Sequence, residues 1–254
     1  MKDVKAIVLT GYGLNCDYET EYSFRLAGAE ACRVHVNELI ENKGILRESH
    51  LLAFIGGFSW ADDHGAGVIL ASKIKNHLFD EMQEFIDDGR LIIGICNGFQ
   101  ALVNLGLLPA IGKNFWERRV ALTYNDSGNF IDTWVRLKVN QASPCVFTKG
   151  ISSIELPIRH GEGKFYAPDD VIDDMIQNEQ IVFQYEENPN GSLNDIAGIC
   201  DPTGRILGLM PHPEAFNHAT NHPDWTRQGK TGLDKGEGIK IFENAVAYIK
   251  ENFL

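Results

Sequence analysis

Gly94-Ile95-Cys96-Asn97-Gly98 follows the apolar run Leu91-Ile92-Ile93 directly and precedes a helix-like segment. A strand ending in such a G-x-C-x-G turn must bend sharply, and glycines flank the bend because larger side chains would clash there. The turn lifts Cys96 off the end of a sheet and sets it at the N-terminus of the next helix. Unpaired N–H groups and the helix dipole favour an anion at that end. Cys96 reads as a nucleophile. The alternative is an inert core cysteine, and a partner base with an oxyanion site is what separates the two.

The best base is His212 in Pro211-His212-Pro213-Glu214. Both prolines restrict the backbone, and Glu214, two residues on, is placed to hold the imidazole tautomer. For the oxyanion, elbow geometry assigns the first donor to the N–H after the nucleophile, that of Asn97. Gly56-Gly57-Phe58-Ser59 follows another apolar run and supplies a turn whose N–H groups can face a ligand. In α/β-hydrolases the acid precedes the histidine by many residues; here it follows by two, so that assignment is weak. His212, His218 and His222 lack a convincing metal-site spacing, and no metal is expected in this chain. Gly229-Lys230-Thr231 mimics the end of a P-loop. The required earlier glycine is replaced by Asp224 and no strand precedes it, which excludes nucleotide binding there.

These groups need a scaffold. Residues 4–9 form a short β-rich run, and Asp17 is placed to cap a helix that Gly28 stops. Residues 31–36 alternate like a strand, 51–55 are a third apolar run, and 67–88 form a long helical stretch ended by Gly89. The fourth run, 91–95, leads into the helix 98–105. Strands alternating with helices predict a mostly parallel central sheet flanked by helices, an α/β fold with right-handed crossovers. After Pro109 the pattern changes. Residues 120–124, 131–139, 153–158 and 181–185 read as strands, 196–200 and 205–210 as a hairpin, and 238–253 as the final helix. The second half is an antiparallel extension folded back on the first, and residues 1–254 read as a single domain.

The 254 residues are 44% hydrophobic and 23% charged, an ordinary globular composition. A formal charge of −12 argues against nucleic acid and anionic membranes as main partners, since both require cations on the protein. Five scattered cysteines without a C-x-x-C pair suit a reducing cytoplasm better than a disulfide framework. The apolar core of the N-terminal stretch, Ala6-Ile7-Val8-Leu9, is too short for a signal peptide, and no run reaches transmembrane length.

The glycine pair after the third strand, G-x-C-x-G-x-Q at 94–100 and H-P-E at 212–214 resemble the class I (triad) glutamine amidotransferases in order and spacing across nearly the whole chain. Within that family, Gly56-Gly57-Phe58-Ser59-Trp60, Cys96-Asn97-Gly98-Phe99-Gln100 and Arg159-His160-Gly161-Glu162-Gly163-Lys164-Phe165 are similar to the glutaminase subunits of phosphoribosylformylglycinamidine synthase. The resemblance implies Cys96 as nucleophile, His212 as base and acid, and Glu214 as its orienter. Gly57 and Asn97 would supply oxyanion N–H groups, Gln100 would shape the glutamine pocket, and His160 and Glu162 would lie on a loop at its mouth. Read from residues alone, that loop is equally a glycine-rich hairpin turn.

Two departures from the family pattern stand out: Ile55 replaces a common proline, and residues 217–237 form a longer insertion, read as surface and as a partner contact. The implied reaction is hydrolysis of glutamine with ammonia passed on. The chain has no ATP-grasping signature, so ATP and magnesium are expected on a large synthetase subunit, with a small bridging subunit between them. The alternatives are a glutaminase serving another synthetase and a non-catalytic binding protein on the same fold.

Overall fold

The computed structural model describes residues 3–254; Met1 and Lys2, the first residues of the single domain read from the sequence, lie outside them. The chain opens with β1 (Lys5–Thr10), α1 (Asp17–Leu26), β2 (Glu30–His35), α2 (Val36–Glu41), α3 (Gly44–Arg47) and β3 (Leu51–Phe54). It continues through α4 (Val68–His77), α5 (Phe79–Asp87), β4 (Leu91–Ile95) and α6 (Asn97–Leu105). The second half holds β5 (Ala121–Tyr124), β6 (Ile131–Val139), β7 (Ser153–His160), β8 (Glu162–Tyr166), α7 (Asp169–Gln177), β9 (Ile181–Tyr185), β10 (Ile196–Cys200), β11 (Ile206–Leu209) and α8 (Ile239–Asn252).

Nine strands form one sheet in the order β2-β1-β3-β4-β11-β10-β9-β6-β7, while β5 and β8 pair separately. The strands β2, β1, β3, β4 and β11 are parallel; from β11 onward every pairing is antiparallel. The expected parallel core with an antiparallel extension is therefore present. The chain runs outward from β1 to β2, then returns to place β3 on the other side of β1. That reversal makes a crevice at the carboxyl ends of the strands, where α/β sheets bind ligands. Right-handed crossovers in opposite directions put helices on both faces. On one side α1 packs on α8 with Phe24 edge-on to Phe242 at 4.8 Å; on the other α4 packs on α6. One apolar cluster runs from Val4 to Ile249.

Several local expectations shift. Cys16, not Asp17, occupies the N-cap of α1, and Asp17 sits in the first turn with its carboxylate on Arg33 at 3.1 Å. Val36 leaves the strand because the His35 imidazole accepts the Asn37 N–H at 3.2 Å and starts α2. The stretch 67–88 is two helices, broken where Leu78 takes φ −128° and ψ 17°. Lys75 and His77 in the last turn of α4, then Asp80 and Glu81 in the first turn of α5, are the charge pattern of two ends meeting. The unforeseen α7 carries a comparable signal, with Pro168 at its N-cap and Asp169 and Asp170 in its first turn.

The hairpin between β10 and β11 is closed by Asp201, whose Oδ1 accepts the N–H groups of Arg205 and Ile206 at 2.9 and 2.8 Å. Residues 217–237 fold over β6: His222 packs edge-on against Trp134 with ring centroids 4.5 Å apart, and His218 bridges to Lys235. Among the described residues no helix is long and apolar enough to cross a membrane.

The elbow is the tightest point of the parallel core. Gly98 lies in α6 against the Phe54 carbonyl of β3, and a Cβ there would overlap that carbonyl oxygen. Because the obstacle is backbone, helix and strand must part to admit it. Gly98→Ala is expected to lower stability by about 1–3 kcal/mol, read as a lower urea midpoint with an unchanged slope.

Candidate functional site

Four strand ends converge. β1 leads to Cys16, β3 to Gly56-Gly57, β4 to Cys96 and β11 to His212. Parallel pairing of β4 with β11, in register Ile95 opposite Leu209, sets the Cys96 and His212 turns side by side. The Cys96 N–H donates to the Leu209 carbonyl at 2.8 Å. Cys96 itself has φ 50° and ψ −106° at the N-cap of α6, a strained conformation for a side-chain-bearing residue and the geometry of a nucleophile elbow. The residue is 5% exposed, and its thiol donates to the Arg159 carbonyl at 3.8 Å.

His212 and Glu214 are buried, and Glu214 Oε1 accepts from His212 Nδ1 at 2.5 Å. Burial alone would disfavour the imidazolium; the Glu214 carboxylate and the Cys96 sulfur outweigh it and hold the His212 pKa well above its ordinary value. The ring is pinned from behind, where a Cβ on Gly56 would stand 2.8 Å from its Cε1. The His212 main-chain N–H donates to the Pro157 carbonyl of β7 at 2.8 Å. β7 is the last strand of the sheet, so the antiparallel half curls until its edge crosses the site.

Arg159 of β7 was not anticipated as a site residue. Its Nη2 lies 3.3 Å from His212 Nδ1, 3.9 Å from Glu214 Oε1 and 3.9 Å from Cys16 Sγ. Cys16, His212 and Glu214 also form a group of metal-ligand type, with ligand atoms within 4.8 Å of one another. The guanidinium lies against all three, so the protein places its own cation on those donors. His218 and His222 are elsewhere, on Tyr22 at 2.8 Å and Glu155 at 3.6 Å. The sequence signal for Arg159 was its place beside His160 on a strand, which puts the two side chains on opposite faces.

A cavity of about 130 Å³ opens over the thiol, lined by Cys16, Glu19, Gly57, Cys96, Arg159 and His212 among others. Gly57 pairs with Leu14 in an isolated bridge, and the turn is held by the Phe58 N–H on the Gly13 carbonyl at 2.8 Å. Asn97 is the first residue of α6, so its N–H has no carbonyl one turn earlier to bond. Gln100 is buried and ties two elements together. Its Nε2 donates to the Glu162 carbonyl at 2.5 Å, and its Oε1 accepts from Asn97 Nδ2 at 3.3 Å. Gln100 is not among the residues that line the cavity, and both ends of its amide are already engaged.

His160 and Glu162 do not form a hairpin turn. His160 ends β7, and Glu162 begins β8 in the second sheet. The His160 ring is buried with Nδ1 on Asn125 Oδ1 at 3.1 Å. Burial first, then the charge of His212, lowers its pKa to about 4, so it stays neutral.

Behind the Gly56-Gly57 turn, Trp60, Ala61 and Asp62 take consecutive left-handed φ values of 51°, 56° and 55°. Such conformations cost on the order of 1–3 kcal/mol each for residues with side chains. Asp62 holds the segment to α6 by accepting Asn97 Nδ2 at 3.0 Å. Burial, then the neighbouring Glu162 charge, raises its pKa to about 6, partly offset by that bond. An acid whose pKa is raised on folding stabilises the fold below its unfolded pKa of 3.8, and this contribution is lost as pH rises through about 6. The whole shift is worth about 3 kcal/mol, and solvent screening of a half-exposed carboxylate cuts this to roughly 1 kcal/mol. Asp62→Asn is expected to melt about 2–4 °C higher than the parent at pH 8, with the difference vanishing near pH 4. Calorimetric scans at the two pH values check it.

The chain matches the family model described as CobB/CobQ-like glutamine amidotransferase domain over residues 3–249. It is 43% identical to phosphoribosylformylglycinamidine synthase subunit PurQ of Methanococcus maripaludis, covering 97% of this chain and 98% of that one. It is 44% identical to the PurQ subunit of Dehalococcoides mccartyi, covering 99% and 100%. Among solved structures, a chain in the structure of PurLQS from Thermotoga maritima superposes with a TM-score of 0.75 at 29% identity, over 98% of this chain and 100% of that chain. Full-length similarity of this kind, on a fold that joins the cysteine elbow to the His-Pro-Glu turn, makes the chain a member of the CobB/CobQ-like glutamine amidotransferases and, within them, of the PurQ subunits of phosphoribosylformylglycinamidine synthase.

Proposed function

We propose that this chain is the glutaminase subunit of phosphoribosylformylglycinamidine synthase. It hydrolyses L-glutamine and passes ammonia to a synthetase subunit that converts formylglycinamide ribonucleotide to formylglycinamidine ribonucleotide in purine biosynthesis. The observation that carries this reading is the buried His212–Glu214 pair at 2.5 Å beside the elbow thiol of Cys96, facing one small cavity.

The Cys96 sulfur attacks the side-chain amide carbon of glutamine. N–H groups of Gly57 and Asn97 stabilise the oxyanion as the tetrahedral intermediate forms. His212, its imidazolium favoured by Glu214, protonates the departing ammonia and leaves a γ-glutamyl thioester. The neutral imidazole then takes a proton from water, which releases glutamate and restores the thiol. A single domain spanning residues 1–254 carries these steps in the cytoplasm. ATP and magnesium belong to a large synthetase subunit, and a small subunit bridges the two. Docking of that synthetase controls glutamine turnover by setting the strained segment behind Gly57; losing one oxyanion donor costs about 10²–10³ in rate.

In the assembled complex, Cys96→Ala is expected to abolish glutamine-dependent synthesis and retain synthesis from ammonia. Loss of both routes would contradict the division of labour. Glu214→Gln removes the charge that favours the imidazolium, and its glutamine-dependent kcat is expected to drop about 10²–10⁴-fold while ammonia-dependent kcat stays at the parental value. Steady-state assays with each nitrogen donor distinguish the outcomes, and substituting other acceptors for the ribonucleotide tests the choice of synthetase.

A further inference from the structure

Glutamine hydrolysis needs one thiol, yet two face the catalytic imidazole. Cys16 caps α1 at the end of β1, and Cys96 caps α6 at the end of β4; Gly56, at the end of β3, lies between those strands. A Cβ on Gly56 would stand 3.1 Å from Cys16 Sγ and 2.8 Å from His212 Cε1. Cys16 Sγ lies within 4.8 Å of a ring nitrogen of His212. Both cysteines are buried, and both border the same cavity. Arg159 touches the two together: its carbonyl accepts from Cys96 at 3.8 Å, and its guanidinium reaches Cys16 Sγ at 3.9 Å. His212 Nδ1 is committed to Glu214, and the buried Nε2 has no hydrogen-bond partner.

We propose that Cys16 is a covalent modification site, the resolving thiol that forms a disulfide with Cys96 once a peroxide has oxidised Cys96. The Cys96 thiolate attacks one oxygen of hydrogen peroxide; an S–O bond forms and the O–O bond breaks. Hydroxide leaves and takes the proton of the His212 imidazolium, so peroxide is reduced to water and Cys96 is oxidised by two electrons to the sulfenic acid. The neutral imidazole accepts the proton of Cys16, whose sulfur attacks Cys96. The S–S bond forms, the S–O bond breaks, and the departing hydroxide recovers that proton as a second water. Burial pushes the Cys16 thiol up, so it waits protonated and does not compete for glutamine. The disulfide stops thioester formation and shields Cys96 from further oxidation, and a dithiol reductant restores both thiols. The inference depends on the placement of the two sulfurs and not on which acceptor receives ammonia.

The test uses the full chain exposed to hydrogen peroxide and read by mass spectrometry. The expected result is a loss of about 2 Da, a proteolytic fragment joining Cys16 to Cys96, and recovery of Cys96 alkylation after dithiothreitol. In Cys16→Ser, and in Cys16→Ala as a second variant, the same treatment is expected to add about 32 Da at Cys96, with no recovery. Melting curves establish that the variants are folded. Should neither fold, the fragment map of the parent decides alone. A link confined to Cys145 and Cys200, absence of any link, or equal recovery with and without Cys16 would overturn the proposal.

Discussion

The parallel pairing of β4 with β11 is the constraint on which the site depends. These strands belong to distant parts of the chain, and their ladder places Ile95 opposite Leu209 with Cys96 bonded to the Leu209 carbonyl. A slip of one residue would turn the side chains of β11 to the opposite face and carry His212 away from the thiol. Burial on both faces resists that slip, since every residue of β4 and β11 is buried. Catalytic geometry is thus secured by the same apolar packing that makes the core.

A second constraint is electrostatic. Glu214 and His212 lie where water cannot solvate them, so the imidazolium depends on the Glu214 carboxylate and on Cys96 to offset its burial. Arg159 enters from β7 and lies against the same pair, a half-exposed cation that balances the buried carboxylate. The antiparallel half of the sheet consequently does more than enlarge the core. By curling until Pro157 and Arg159 reach His212 and Cys96, it closes the site opposite the parallel strands.

Strain is concentrated beside this rigid frame. Cys96 has a positive φ, and three successive residues after the Gly56-Gly57 turn are left-handed, tied to α6 by the bond from Asn97 to Asp62. A network through Asn97, Gln100 and Glu162 joins that segment to the start of β8. Movement at the mouth would therefore be felt at the N-terminus of α6, beside the Cys96 elbow.

Much of this was legible in residue order. The G-x-C-x-G turn after an apolar run, the glycine pair after another, and the proline-braced histidine with its glutamate each have a local cause, and each sits at the strand end expected of it. Helix α7 and the break at Leu78 escaped, although their charged end turns were visible, because apolar spacing was weighed above charge. Cys16 and Arg159 were not singled out, since one was read only as one of five scattered cysteines and the other only as the first residue of the segment before Gly161. Their roles arise from strand order: only a sheet that switches direction at β1 and curls at β7 brings them to one imidazole. Backbone preferences and apolar periodicity are short-range properties, so the chain alone determined the elements and the reactive turns. Which turns meet, and at what charge, is decided by long-range packing that buries them together.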